Sequence, residues 1–187
     1  MEVIDCIYQK SNFIKEPYFE KMFTYIKSLS DYQQAEVVKN GGSLDTNIRS
    51  TKIAELSPFD KSLTNVHWFN FLKFQILKEV ENYKKQIKVS EFGGDINIAV
   101  LKYNPGDFYI YHVDDGHSTP RTLSIIILLN DDYKGGELCF MAPDQKKEIT
   151  IKTEKNKIII WPSNFLYPHS VKKVTEGVRY SIVSWIR

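Results

Sequence analysis

The stretch that decides the fold runs from residue 96 to residue 129: INIAVLKY (96–103), NPG (104–106), FYIYHV (108–113), DG (115–116) and TLSIIILL (122–129). β-Branched and aromatic side chains suit a pleated, half-buried surface, whereas Asn, Asp, Gly and Pro suit turns. The same alternation continues downstream in ELCFM (137–141), EITI (148–151), KIIIW (157–161) and VRYSIVSWI (178–186), with turn chemistry at Gly135-Gly136 and Ala142-Pro143-Asp144. The glycine pair is expected to make a hairpin turn. Short strands at this spacing predict an antiparallel sandwich or barrel.

Upstream the character changes. Residues 3–8 read as a short strand. Pro17 suits the first turn of a helix, and Phe19, Phe23, Ile26 and Leu29 follow at helical steps. Residues 35–38 and 48–56 read as two strands around a Gly41-Gly42 turn. Residues 65–87 form the clearest helix, with Phe69, Leu72, Ile76, Val80, Tyr83 and Ile87 in one stripe and Lys73, Lys78, Glu81 and Lys84 elsewhere. That stripe needs an apolar partner, so the helices are expected to cover one outer face of a sheet. The predicted class is α+β, mostly β with N-terminal helices. One domain is expected over 1–187, with 1–92 as a support region and 93–187 as the β core.

Composition narrows the function. The chain has 187 residues, 42% of them hydrophobic, enough for a core and unlike a disordered chain. Lys plus Arg number 25 against 23 Asp plus Glu, a formal charge of +2, which gives no signal for nucleic acid or an anionic membrane. Two cysteines, Cys6 and Cys139, do not make a secreted disulfide framework, and two reduced, buried thiols are expected. The N-terminal residues carry Glu2 and Asp5 without a long apolar run, so no signal peptide is expected. No stretch approaches the ~18 apolar residues of a membrane span. A cytoplasmic protein is the expectation.

Three residues carry the chemistry. His112 and Asp114, two apart on a predicted strand, leave the same face, so an imidazole and a carboxylate can converge on one ion. His169, from a distant strand, completes a two-His, one-carboxylate facial triad, which leaves coordination positions open and suits non-haem Fe(II). Structural zinc sites are closed by four protein ligands instead. An H-x-D pair alone is weak, but Arg179 follows His169 by ten residues. The chain has only Arg49, Arg121, Arg179 and Arg187, so an Arg at one given offset arises by chance about 2% of the time. A planar, always-charged guanidinium near an iron site suits bidentate capture of a carboxylate.

These residues lie in a series of motifs: Tyr103-Asn-Pro-Gly-Asp-Phe-Tyr109 leading into His112-Val-Asp114, then Arg121-Thr-Leu-Ser, Leu128-Leu-Asn130, Gly135-Gly-Glu-Leu138, Pro168-His169 and Arg179-Tyr-Ser-Ile-Val-Ser-Trp185. In this order, from about 101 to 185, the chain resembles the Fe(II)/2-oxoglutarate-dependent dioxygenases, and within them the prolyl 4-hydroxylase-like branch. The resemblance implies a double-stranded β-helix (jelly-roll) core with flanking helices. It implies Fe(II), 2-oxoglutarate and O2 as cofactor and cosubstrates, with ascorbate as a helper. It carries over His112, Asp114 and His169 as iron ligands, Arg179 as partner of the cosubstrate's distal carboxylate, and Tyr103 as a wall of the cosubstrate pocket. It implies a hydroxylase acting on a prolyl residue of a peptide or protein.

Leu128 stands where some relatives have a tyrosine that helps hold the distal carboxylate, so another hydroxyl, Ser181 or Ser124, is expected to share it with Arg179. Arg49-Ser50-Thr51 is similar to an Arg-Thr-Ser-type strand of this branch. Arg49, Arg121 and Trp185 are the candidate substrate contacts. Asp115 points away from Asp114 and reads as a turn residue, His117 as a solvated loop residue, and His67 as structural. The alternatives are an oxygenase acting on a free amino acid or nucleobase, a non-catalytic cupin-like metal or sugar module, and a zinc hydrolase using the same triad. The nucleobase branch tends to carry two arginines six apart on its last strand, whereas Arg179 and Arg187 are eight apart.

Overall fold

The computed structural model describes residues 3–35, 45–88, 94–117, 120–142 and 147–187. The first half holds a 3-10 turn (Val3–Cys6), β1 (Tyr8–Lys10), α1 (Tyr18–Ser28), β2 (Gln33–Gln34), β3 (Lys52–Leu56) and α2 (Leu63–Ile87). Then come β4 (Ile96–Tyr103), β5 (Tyr109–His112), β6 (Leu123–Leu128), β7 (Lys134–Gly135), β8 (Leu138–Met141), β9 (Glu148–Thr150), β10 (Lys157–Pro162), β11 (His169–Val171), β12 (Val174–Glu176) and β13 (Arg179–Ile186).

Two antiparallel sheets form the body. The larger has the order β1-β10-β6-β13-β4-β3-β2, the smaller β5-β11-β8-β9, and β12 and β7 make a separate pair. The arrangement is the predicted double-stranded β-helix, with two helices added. Its logic is legible in β6, LSIIIL, where all six residues are buried. Such a run requires cover on both faces. Ile125 and Ile127 join Leu72, Ile76 and Ile98 in a core under the helices, while Ile126 and Leu128 join Leu101, Phe140 and Val183 in a second core between the sheets. Fully burying each such side chain contributes about 1.5–3 kcal/mol.

α2 starts where Ser62 accepts a hydrogen bond from the Asn65 N–H at 3.4 Å and ends at Lys88 in the left-handed conformation; the Ser side chain satisfies one of the donors that a helix start leaves unpaired. Phe69, Leu72, Ile76, Val80 and Tyr83 are its buried stripe, as the periodicity predicts, with Ile87 packed at the edge.

Several local expectations change. Residues 3–6 form a 3-10 turn rather than a strand, because β10 offers partners only to Tyr8–Lys10, opposite Ile160–Ile158. The Gly135-Gly136 pair is no hairpin turn: Gly135 lies in β7, opposite Val174 of β12. A Cβ on Gly135 would meet the Lys173 carbonyl oxygen at 2.2 Å, so the close backbone approach demands glycine. Strands β11 and β12, three residues each, are too short to register as periodic segments. In the predicted pair of strands around Gly41-Gly42, the second contains β3 and residues 36–44 lie outside the described residues; β2 pairs β3 through Gln33 and Gln34. The predicted turn at 142–144 also falls largely outside them. Cys139 is buried, but Cys6 is only half-buried. Among the described residues, no helix is long and apolar enough to cross a membrane.

Candidate metal centre

The two histidines meet across a strand pair. His169 of β11 stands opposite His112 of β5, and the register shifts between His169 and Val171. Their ring centroids are 4.2 Å apart. Asp114 lies beyond the end of β5, in a bend rather than on the strand. The strand rule therefore placed it on the right side for an incomplete reason, since no ladder bond holds it. Its carboxylate nevertheless faces both rings: Oδ1 is 3.5 Å from His112 Nε2, and Oδ2 is 3.4 Å from His169 Nε2. One ligand atom from each residue lies within 4.8 Å of the others.

Each ring is oriented from behind. His112 Nδ1 is 2.9 Å from the Ile110 carbonyl oxygen and His169 Nδ1 is 3.1 Å from that of Tyr167. A carbonyl only accepts, so Nδ1 carries the proton and Nε2 presents a lone pair inward, the arrangement metal-binding histidines use. Tyr109 stacks on the His112 ring at 3.5 Å, and the Arg49 guanidinium lies 4.8 Å from the Tyr109 ring centre. Burial, reinforced by His169, pushes the His112 imidazolium down to about 4. Burial opposes the charge on Asp114, but the two facing imidazoles outweigh it and hold the carboxyl well below the usual range. A neutral His112 and an ionised Asp114 are in the states a divalent ion requires of its ligands.

Arg121 braces Asp114. Its Nη1 is 3.3 Å from the Asp114 carbonyl oxygen and 3.5 Å from Oδ1, and its guanidinium lies over the Trp185 ring, 3.7 Å from the ring centre. Asp115 is exposed, and its carboxylate accepts the Arg121 N–H at 3.0 Å. His117 is exposed, and His67 packs edge-on against Trp68. Of the candidate rim residues, Arg121 and Trp185 touch each other and reach the centre through Asp114. Arg49 reaches it through Tyr109.

Arg179 sits deeper. Its side chain is 0% exposed, and its guanidinium lies 5.0 Å from the Tyr103 ring. Nη1 donates to Ser181 Oγ at 2.8 Å, while Nε and Nη2 find no partner among the described residues. No carboxylate among the described residues pairs with it. A buried cation left this way costs several kcal/mol unless an anion arrives, so the site fits an anionic group supplied from outside. Of the two serines considered beside it, Ser181 is in place. Ser124 is not: it lies opposite Trp185, at the far end of the ladder from Leu128 and Ser181, and its hydroxyl is engaged by Asp114. The sequence reading missed this role for Ser124, as well as Ser163 and the Tyr109 stack. The available signal was a lone serine in an otherwise aliphatic strand.

Residues 98–187 match the 2OG-Fe(II) oxygenase superfamily. A PKHD-type hydroxylase of Synechococcus sp. (strain CC9902) is 38% identical over 94 residues, 48% of this chain and 40% of that protein. A second, from Rippkaea orientalis, is 28% identical over 160 residues, 81% of this chain and 62% of that protein. The chain thus spans less than two thirds of either relative's length. Among solved structures, a Trichoplax adhaerens prolyl hydroxylase in complex with a hypoxia inducible factor oxygen degradation domain peptide fragment superimposes with a TM-score of 0.74 at 17% identity, covering 97% of this chain and 83% of that one. Residues 98–187 thus carry the pattern of the 2OG-Fe(II) oxygenase superfamily, and the chain shares its fold with the prolyl hydroxylases.

Proposed function

We propose that the protein is a 2-oxoglutarate-dependent hydroxylase acting on a C–H bond of a peptidyl substrate, a prolyl residue first among the candidates. The observation that carries this reading is Arg179: a fully buried guanidinium with two donor nitrogens unpaired among the described residues, on the same sheet face as Ser181, Val183 and Trp185. A metal-binding module or a zinc hydrolase has no use for such a group, whereas a dicarboxylate cosubstrate does.

His112, Asp114 and His169 would hold Fe(II) by Nε2, a carboxylate oxygen and Nε2. When bound, the iron supplies the oxidative chemistry by which O2 converts 2-oxoglutarate to succinate and CO2 and oxygenates the substrate. The chain does the rest. Arg179 and Ser181 bind the distal carboxylate of the cosubstrate, and Tyr103 walls its pocket. Arg121, lying on Trp185, and Arg49, lying on Tyr109, frame the approach to the centre. The nearby groove over β5 and β11, about 400 Å³ and lined by Tyr109, Ile110, Tyr111 and Val171 among others, has the dimensions of a ligand site. A peptide substrate is supported by the peptide complex of the Trichoplax neighbour, and hydroxylation by the PKHD-type hydroxylases that the chain resembles.

The proposal includes one working unit over 1–187, since β3 of the first half pairs with β4 of the second. It also includes cytoplasmic residence and ascorbate as the reductant that keeps iron ferrous. The test is succinate formation from 2-oxoglutarate with Fe(II) and ascorbate, aerobic against anaerobic, over a panel of proline-containing peptides. Oxygen-dependent succinate that rises with one peptide, together with a product heavier by one oxygen atom, is the expected result. Stimulation by a free amino acid or a nucleobase instead would replace the peptidyl substrate. Absence of succinate with Fe(II) demonstrably bound would end the enzyme reading.

A further inference from the structure

Ser124 is the one polar residue of β6, and it is 0% exposed. A hydroxyl in such a place costs free energy unless it is hydrogen-bonded. Its Oγ donates to Asp114 Oδ2 at 2.7 Å and lies 2.7 Å from Ser163 Oγ. A hydroxyl has one proton. Ser124 gives its proton to the carboxylate, so Ser163 must donate to Ser124. Ser163 is itself buried, and its backbone is tied at both ends: its carbonyl accepts the Asp115 N–H at 3.1 Å, and its N–H donates to the Thr122 carbonyl at 3.1 Å.

The arrangement matters because Asp114 has no strand to hold it. The β5–β11 ladder stops at His112. A carboxylate on a bend can rotate, and rotation decides whether it offers one oxygen or two to an ion. Ser124 grips Oδ2 from the sheet while Arg121 lies beside Oδ1. Ser163 fixes the direction in which Ser124 donates and, through Asp115, the backbone that carries the carboxylate.

We propose that Ser163 and Ser124 form a buried hydroxyl relay that positions the Asp114 carboxylate for metal binding, setting both the affinity and the symmetry of the centre. Both are positioning residues, acting through Asp114. The proposal rests on the metal-centre reading above.

The test is titration of Co(II) into the whole chain, followed by its visible absorption, for the parent, Ser124→Ala, Ser163→Ala, the double variant and Ser184→Ala. Ser184 is the control, because it is equally buried but donates to the Asn97 carbonyl at 2.7 Å, apart from the carboxylate. Ser124→Ala is expected to weaken Co(II) binding by roughly 10–100-fold and to change the intensity of the visible bands. Ser163→Ala should weaken it less, and the double variant should differ little from Ser124→Ala, since neighbours in one network are not additive. Ser184→Ala should lower the thermal midpoint with affinity and bands unchanged. A Ser124→Ala protein that melts cooperatively and binds Co(II) with the parent's affinity and bands overturns the relay alone. Should Ser124→Ala fail to fold, Ser163→Ala decides in the same way, because it leaves the Ser124–Asp114 bond in place. A parent that binds no Co(II) overturns the metal-centre reading and the relay with it.

Discussion

Arg179 stands directly across from Tyr103 in the β13–β4 ladder, with its guanidinium 5.0 Å from the tyrosine ring. Gly136 closes the space beneath: a Cβ there would come within 3.0 Å of Arg179 Cδ. The ring and the glycine leave room for one buried cation and bring no counter-charge. Among the described residues no carboxylate balances that charge, which is the basis of the proposed role of Arg179.

Replacing that charge separates stability from binding. Arg179→Met should make the apo protein more stable by about 1–4 kcal/mol, because an apolar side chain of similar length replaces an uncompensated buried ion. The same variant should lose the two or so charge-assisted bonds to 2-oxoglutarate, weakening its binding roughly 100-fold with Mn(II) binding retained. Thermal melting with and without Mn(II) and 2-oxoglutarate reads both. An unchanged ligand-induced shift would refute the role of Arg179.

His169→Ala should abolish turnover. His169 presents Nε2 toward Asp114 with its Nδ1 tied to the Tyr167 carbonyl, so the variant lacks a donor that no neighbour replaces. Calorimetric titration should show Mn(II) affinity reduced by at least ~100-fold. A variant that still coupled 2-oxoglutarate consumption to substrate hydroxylation would show that the ligand set is wrong.

The metal-free protein should be acid-sensitive in a defined window. His112 titrates near 4 in the folded state against 6.5 for an ordinary histidine. Between those values the unfolded chain binds the proton and the folded one does not, so stability falls as pH drops from about 6.5 to about 4. Asp114, held well below 3.8, acts in the same direction at lower pH. Urea unfolding at a series of pH values should show the first loss in the parent and its absence in His112→Leu. Equal slopes in the two proteins would count against a neutral, buried His112.

In the core, Ile127→Ala should destabilise the fold by about 3 kcal/mol. Ile127 is 0% exposed, lies opposite Ile158 and Ile182 in the ladders, and faces the helix layer. Chemical denaturation measures the loss. A cost below about 1 kcal/mol would mean that the helices are not seated on this sheet.

The sequence by itself determined the class of fold and the chemical inventory. The aliphatic run of β6, the turn residues around β4 and β5 and the stripe on α2 are local patterns, each readable within one element because burial imposes a period. The motif order from Tyr103 to Trp185 pointed to His112, Asp114, His169 and Arg179. Tertiary structure alone decided how they are held. β11, three residues long, has no readable period and exists only because β5 and β8 flank it. Ser124 could have served either end of β6, and only the register opposite Trp185 placed it on Asp114 rather than near Arg179. That Arg179 meets Ser181 but no carboxylate among the described residues is likewise a property of the packed core: a sequence shows that a charge exists, whereas its surroundings depend on every side chain folded around it.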